Sequence, residues 1–285
     1  MRATIGTMSV SPAGVRALLE RHGLHPSRAL GQNFLADANT ARRIVRLAGV
    51  GRGDRVLEIG PGVGSLTVEL ARAGAHVVAL ELDRYLLPVL EDVVRGTGDV
   101  RVVSGDAMTV DLDALLDGGD RWHLVSNLPY NVATPLVMRV LDDVPRVTHL
   151  LVMVQREVGE RLAAGVGDDA YGAVSVKIAY YATAKVVAVV PPTVFVPRPN
   201  VESALVEITR RDAPAVDVPD AQALFALVRA GFGQRRKMLR GALRATLGPD
   251  AAATLQEAGI DPARRAESLT LADWAALAHA SARRA

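Results

Sequence analysis

The segment Asn127-Leu128-Pro129-Tyr130 sets a side-chain carbonyl, a backbone carbonyl followed by a proline, and an aromatic ring side by side. The proline restrains the turn, so the two acceptors can be aimed at one point. The exocyclic amine of adenine is a poor nucleophile because its lone pair is delocalised into the ring. If Asn127 Oδ1 and the Leu128 carbonyl accept its two N–H groups, the nitrogen becomes more pyramidal and its lone pair can be aimed at an electrophilic methyl group. An amide is far too weak a base to abstract a proton near neutral pH, so Asn127 would orient and polarise. Tyr130 can stack on the base, which must leave its own stack or come from a flexible loop. Phe195, within the proline-rich stretch from Pro191 to Pro199, is a candidate for a second aromatic surface. The competing readings are an Asx-Pro turn with a packed tyrosine, and a Phe195 ring packed under its loop.

A methyl donor needs its own site. Val56-Leu57-Glu58-Ile59 reads as a strand that turns through Gly60-Pro61-Gly62-Val63-Gly64, where small residues allow close approach of a ligand. The spacing is neither the G-x-G-x-x-G fingerprint nor a G-x-x-x-x-G-K-[ST] phosphate loop. Glu81 follows the next strand and can accept from a ribose diol, and Asp106, beyond a third, can accept from an adenine amino group. Singly, each acid reads equally as a strand-end solubilising group or a cap. Together they outline a nucleoside cofactor at the C-terminal strand ends. S-adenosylmethionine fits better than a dinucleotide, because no pyrophosphate site is evident. The six histidines are scattered and cysteine is absent, so no metal is expected and disulfides are excluded.

The elements that must position these groups are short apolar strands at Arg55 to Ile59, Val77 to Leu80, Val100 to Val103, Leu124 to Ser126 and Leu150 to Val154, separated by helix-compatible segments. That alternation predicts an α/β sheet covered on both faces. Ser11-Pro12 and Asp37 read as caps of two leading helices, with Val15, Leu18 and Leu19 inward in the first and Ile44, Val45 and Leu47 in the second. Tyr180 to Val190 and Ser203 to Ile208 read as later strands. The polar, proline-containing segment 211–220 reads as a linker before a helical region opened by Leu224, Phe225, Leu227 and Val228. Two domains are expected: 1–210, catalytic, and 211–285, helical and binding the ribosomal particle.

With 49% hydrophobic residues over 285 positions, a sizeable core is available and wholesale disorder is excluded. The net charge is only +2, but Arg229, Arg235, Arg236, Lys237, Arg240 and Arg244 fall in one stretch without an acid. That stretch is a candidate phosphate-binding patch, or else a solvated helix face. Met1 to Val15 has no basic region leading into a long apolar run, and the apolar runs elsewhere are strand-length. Neither export nor membrane spanning is expected, and the cytoplasm is the expected location.

Seven landmarks in one order complete the picture: GQNFL at 31–35, EIGPGVGSLT at 58–67, NLPY at 127–130, MVQREVGERL at 153–162, VPPTVFVPRPNVESALV at 190–206, FGQRRKMLR at 232–240 and RAESLT at 265–270. In these the chain closely resembles the bacterial small-subunit ribosomal RNA adenine dimethyltransferases, the KsgA/RsmA family. The resemblance implies an α/β fold, a Rossmann-like class I S-adenosylmethionine-dependent methyltransferase with a smaller C-terminal helical domain. It implies N6,N6-dimethylation of two adjacent adenines in the 3'-terminal hairpin loop of 16S rRNA within the immature small ribosomal subunit, by a monomer. Asn33 and Leu35 would help enclose the cofactor, Gly60, Gly62, Glu81 and Asp106 would line its site, and Asn127 would bridge cofactor and target. Tyr130 and Phe195 would flank the base, and Arg235, Arg236, Lys237 and Arg240 would contact RNA. The chain departs from the family at Pro26-Ser27-Arg28-Ala29-Leu30, where relatives are richer in lysine, and at Asn200, where many carry a basic residue. A 23S rRNA adenine methyltransferase, or an assembly factor acting mainly by binding, are the alternatives; FGQRRKMLR with RAESLT favours the small subunit.

Overall fold

A computed structural model describes residues 10–284, so the reading of residues 1–9 lies outside the described part. Helix α1 (Pro12–Arg21) begins where Ser11 Oγ accepts from Gly14 N at 3.1 Å, and it buries Val15, Leu18 and Leu19. After the two-residue strand β1 (Phe34–Leu35), Asp37 caps α2 (Ala38–Ala48) by accepting from Thr40 N at 2.6 Å. Ala41, Ile44, Val45 and Ala48 make the buried stripe of α2. Leu47, expected inside, is 37% exposed, because its position falls off that three-four spacing.

The strands β2 (Arg55–Ile59), β3 (His76–Glu81), β4 (Val100–Ser104), β5 (Trp122–Asn127) and β6 (Val147–Gln155) alternate with α3 (Ser65–Arg72), α4 (Leu87–Val94) and α5 (Ala133–Asp143). Helices α6 (Arg156–Ala163) and α7 (Ala173–Tyr181) follow, then β7 (Ala182–Val190), the short β8 (Phe195–Val196) and β9 (Ser203–Arg210). The main sheet has the order β4-β3-β2-β5-β6-β9-β7, with β2 to β6 parallel and β9 antiparallel to β6. Strands such as Val56 to Ile59 and Leu150 to Val154 are buried throughout, as a sheet covered on both faces demands. The chain runs outward from β2 to β3 and β4, then returns to β5 on the other side of β2. That reversal opens a crevice at the C-terminal ends of β2 and β5, where ligands of such sheets bind.

Two compact units divide the chain: residues up to 159 with 185–210, and residues 160–184 with 211–285. A single cut after residue 210 is thereby corrected. Tyr180 and Tyr181, expected to start a strand, end α7 instead, and the Tyr180 ring packs edge-on against Phe225 at 5.3 Å. Val176 and Tyr180 belong to the core of Leu224, Phe225, Leu227 and Trp274. Within that second unit, Asp220 caps α8 (Ala221–Gly233), and α9 (Leu239–Ala242), α10 (Arg244–Leu247), α11 (Ala251–Glu257) and α12 (Leu271–Ala282) complete the helical set. Among the described residues no helix is long and apolar enough to cross a membrane.

Candidate active site

The crevice between β2 and β5 is lined by residues from five places: the segment 30–35, the glycine turn, the ends of β3 and β4, and the Asn-Leu-Pro-Tyr segment. Gly60, Gly62 and Gly64 all lie in the left-handed region, at φ of 71°, 59° and 85°. Side chains there would be strained, and a Cβ on Gly62 would sit 2.8 Å from Phe34 Cδ1. A Cβ on Gly60 would meet Pro129 Cδ at 3.4 Å, which measures how closely the glycine turn approaches the NLPY segment. Below them, Ser126 Oγ accepts from Ile59 N at 2.8 Å and ties β5 to β2.

Asn127 ends β5 with its amide fixed in one sense. Its Nδ2 donates to the Asn33 carbonyl at 3.0 Å, so Oδ1 is left as the acceptor, buried and without a protein partner. Leu128 N donates to the Met153 carbonyl at 3.1 Å, and the Leu128 side chain is buried, so what this residue offers the cleft is backbone. The Tyr130 hydroxyl shares a 2.7 Å hydrogen bond with Ser203 Oγ, and burial raises its pKa. That bond holds the ring at the cleft wall.

Glu81, 5% exposed, ends β3 with both oxygens engaged. Oε2 accepts from Gly62 N at 2.9 Å and Oε1 from Asp83 N at 2.8 Å. Burial raises its pKa, and these two backbone donors oppose the shift. Asp106 also lines the cleft, with Oδ1 accepting from Met108 N at 2.8 Å. Asn33 and Leu35 sit on a strap across the site. Gln32 anchors it: its Oε1 accepts from Ser27 N at 2.7 Å and its Nε2 donates to Asp83 Oδ2 at 2.8 Å. Phe34 packs with Val15, Leu18 and Leu19 of α1, pinning the strap from outside.

Phe195 does not join this constellation. It pairs with Leu35 between β1 and β8, is 2% exposed, and packs in the core with Val190 and Leu205. Its ring is outside the lining of the cleft, and its burial matches the packed reading of Phe195.

The family model described as ribosomal RNA adenine dimethylase matches residues 25–282. The chain belongs to this family. A ribosomal RNA small subunit methyltransferase A from Magnetococcus marinus is 47% identical over 93% of this chain and 95% of its own. A protein of the same name from Pelotomaculum thermopropionicum is 44% identical over 94% and 95%. Among solved structures, a dimethyladenosine transferase from Plasmodium falciparum superposes with a TM-score of 0.72 at 23% identity, covering 86% of this chain and 95% of that one. A 23S rRNA methyltransferase reaches 0.67 at 24% identity, covering 87% and 99%. These two likenesses carry the fold.

This ribosomal RNA adenine dimethylase is an S-adenosylmethionine-dependent enzyme, and the residues present fit that donor. The polar atoms buried without partners at the cleft include Asn127 Oδ1, Glu58 Oε2 and Ser65 Oγ. Glu58, Gln32, Asp83 and Ser203 were not singled out from the sequence, although Gln32 lies inside GQNFL and Glu58 opens EIGPG. In the second unit Arg235, Arg236, Lys237 and Arg240 are all exposed. The first three stand on the turn between α8 and α9 rather than along a helix face. Arg235 is already engaged, paired with Glu267 at 2.8 Å and donating to the Asp169 carbonyl at 3.0 Å.

Proposed function

We propose that this enzyme dimethylates N6 of two adjacent adenines in the 3'-terminal hairpin loop of 16S rRNA, on the immature small ribosomal subunit. The observation that carries the reading is the orientation of Asn127, whose N–H is spent on Asn33 and whose carbonyl oxygen is held for a donor from outside the protein. An exocyclic amine with two N–H groups matches Asn127 Oδ1 and the Leu128 carbonyl. The small-subunit assignment is supported by relatives of 44% and 47% identity over nearly full length whose names carry it.

The bound donor supplies an electrophilic methyl on a cationic sulfur, which is the hard part of the chemistry. Glu81 would hold the ribose, with both its oxygens already oriented by backbone N–H groups, and Asp106 the adenine amino group. Asn127 and Leu128 would accept the two N–H groups of the target, desolvating the nitrogen and directing its lone pair. Tyr130, fixed through Ser203, would present a flat face to the base. These groups need not reorganise during transfer, which is where preorganised dipoles gain most. The amide cannot take the proton that methylated nitrogen then sheds, so the proton passes to solvent. Arg236, Lys237 and Arg240 would meet rRNA phosphate, with Arg235 bracing the turn that carries the first two. The enzyme would act as a cytoplasmic monomer, which light scattering at working concentration tests. To test the reaction, labelled donor and purified protein are incubated separately with immature small subunits, large-subunit RNA and DNA, and the methylated bases are mapped. N6,N6-dimethyladenine confined to the small-subunit hairpin is the expected product; label on large-subunit RNA or DNA alone would refute the assignment.

A further inference from the structure

Glu58 has no part in the steps above, yet it is the most deeply buried carboxylate of the cleft. It ends one residue short of the glycine turn, is 1% exposed, and its Oε2 has no hydrogen-bond partner. From α3 the Thr67 hydroxyl lies beside it without completing a geometrically sound bond, while Glu69 of the same helix is paired with Arg72. From β3 the charged group that faces it is Glu81, an acid. From β5 the neighbouring groups are Ser126, which bonds Ile59 N, and, on the cleft, Asn127, both uncharged; beyond β4 stands Asp106, a third acid. Among the described residues lining the cleft none is Lys, Arg or His.

A buried carboxylate without a neighbouring cation or a full complement of hydrogen bonds favours its protonated form. Burial pushes the Glu58 carboxyl up to about 8. The methyl donor carries one net positive charge, since its ammonium and carboxylate cancel and its sulfonium does not; the spent thioether is neutral. We propose that Glu58 is the counter-charge to that sulfonium: neutral in the donor-free protein, it yields its proton to solvent as the donor binds and takes one back from solvent once methyl transfer has left the neutral thioether in the site. The proposal rests on the methyl-donor reading of the cleft. It makes the enzyme distinguish fresh donor from spent product by charge as well as shape, which favours exchange between the two successive methylations.

The test is calorimetry on the full chain with S-adenosylmethionine and with S-adenosylhomocysteine, in buffers of different ionisation enthalpy. At pH 7, a carboxyl titrating near 8 that ionises fully on binding releases about 0.9 proton per donor. Release with the thioether should be much smaller, and donor affinity should fall about tenfold for each pH unit below 8. Glu58→Gln should abolish the release and flatten the pH dependence for the donor while leaving thioether affinity nearly unchanged. A second readout needs no ligand. Because the folded state holds this proton and the unfolded state does not, wild-type stability should fall relative to Glu58→Gln as pH rises from 4.5 to 8. Equal proton release with donor and thioether, no release with either, or undiminished release in a folded Glu58→Gln overturns the proposal. Should that variant not fold, the wild-type comparison of the two ligands decides alone. Failure of the wild type to bind donor at all would sink the methyl-donor reading as well.

Discussion

Asn127→Ala removes two things at once, and the structure separates them. The first is the Nδ2 donation to the Asn33 carbonyl, a single part-buried hydrogen bond. Its loss should cost about 1 kcal/mol of stability, which leaves the protein folded. The second is Oδ1, the acceptor held ready in the cleft. Deleting one preorganised group of this kind typically costs about 2.7–4 kcal/mol of barrier, or about 10²- to 10³-fold in rate. The loss should fall on the transfer step while affinity for the small-subunit particle stays within a few fold, since the residues proposed to meet phosphate are other ones. Single-turnover methyl transfer, with enzyme and donor saturating over immature subunits, isolates that step from product release. Asn127→Asp sharpens the test: it keeps an acceptor but turns a carboxylate oxygen toward the Asn33 carbonyl, so the orienting donation is lost. It should recover less than a tenth of the wild-type rate. A folded Asn127→Ala with near-normal single-turnover transfer would refute the clamp, and full activity in Asn127→Asp would refute the importance of its orientation.

Glu81→Ala should weaken S-adenosylmethionine binding in calorimetry while RNA affinity stays close to wild type, because the acid proposed to meet the ribose also holds Gly62 N; unchanged donor affinity in a folded variant would reject the ribose contact. Phe195→Ala should behave as a core truncation, losing about 3–5 kcal/mol in denaturant unfolding, whereas normal stability with a selective loss of transfer would restore its base-flanking role. Gly62→Ala places a Cβ against Phe34 at 2.8 Å in a strained backbone, so both thermal stability and donor affinity should drop; indifference in both would mean the turn is not the cradle described. Neutralising Arg236, Lys237 and Arg240 together should lower particle affinity and flatten its dependence on salt, with donor binding intact; an unaltered slope would move the RNA surface elsewhere.

What the sequence reveals here is what local chemistry dictates. Ser11 and Asp37 read as caps because a cap is decided within three residues, and the strands at 55–59 and 150–154 read as strands because continuous apolar runs are their own signal. The glycine turn and NLPY were legible for the same reason. Long-range pairing was not. The fixed sense of Asn127 depends on Asn33, 94 positions away, and the burial of Phe195 depends on its register with Leu35. Tyr180 and Tyr181 carry strand-forming side chains, yet they end a helix because Phe225 and its neighbours offer the aromatic contacts that bury them. Glu58 was invisible as a chemical group, since burial, with the acid Glu81 beside it, raises its pKa and no motif announces that.

The hydrogen bonds Ser27–Gln32–Asp83–Glu81–Gly62 form one continuous relay, from the strap through the end of β3 to the glycine turn. Glu81 and the strap are therefore braced by one shared set of hydrogen bonds. The same strap carries the Asn33 carbonyl that fixes Asn127. The two proposed sites therefore share one support: the strap that braces the acid placed for the donor also braces the amide placed for the target base.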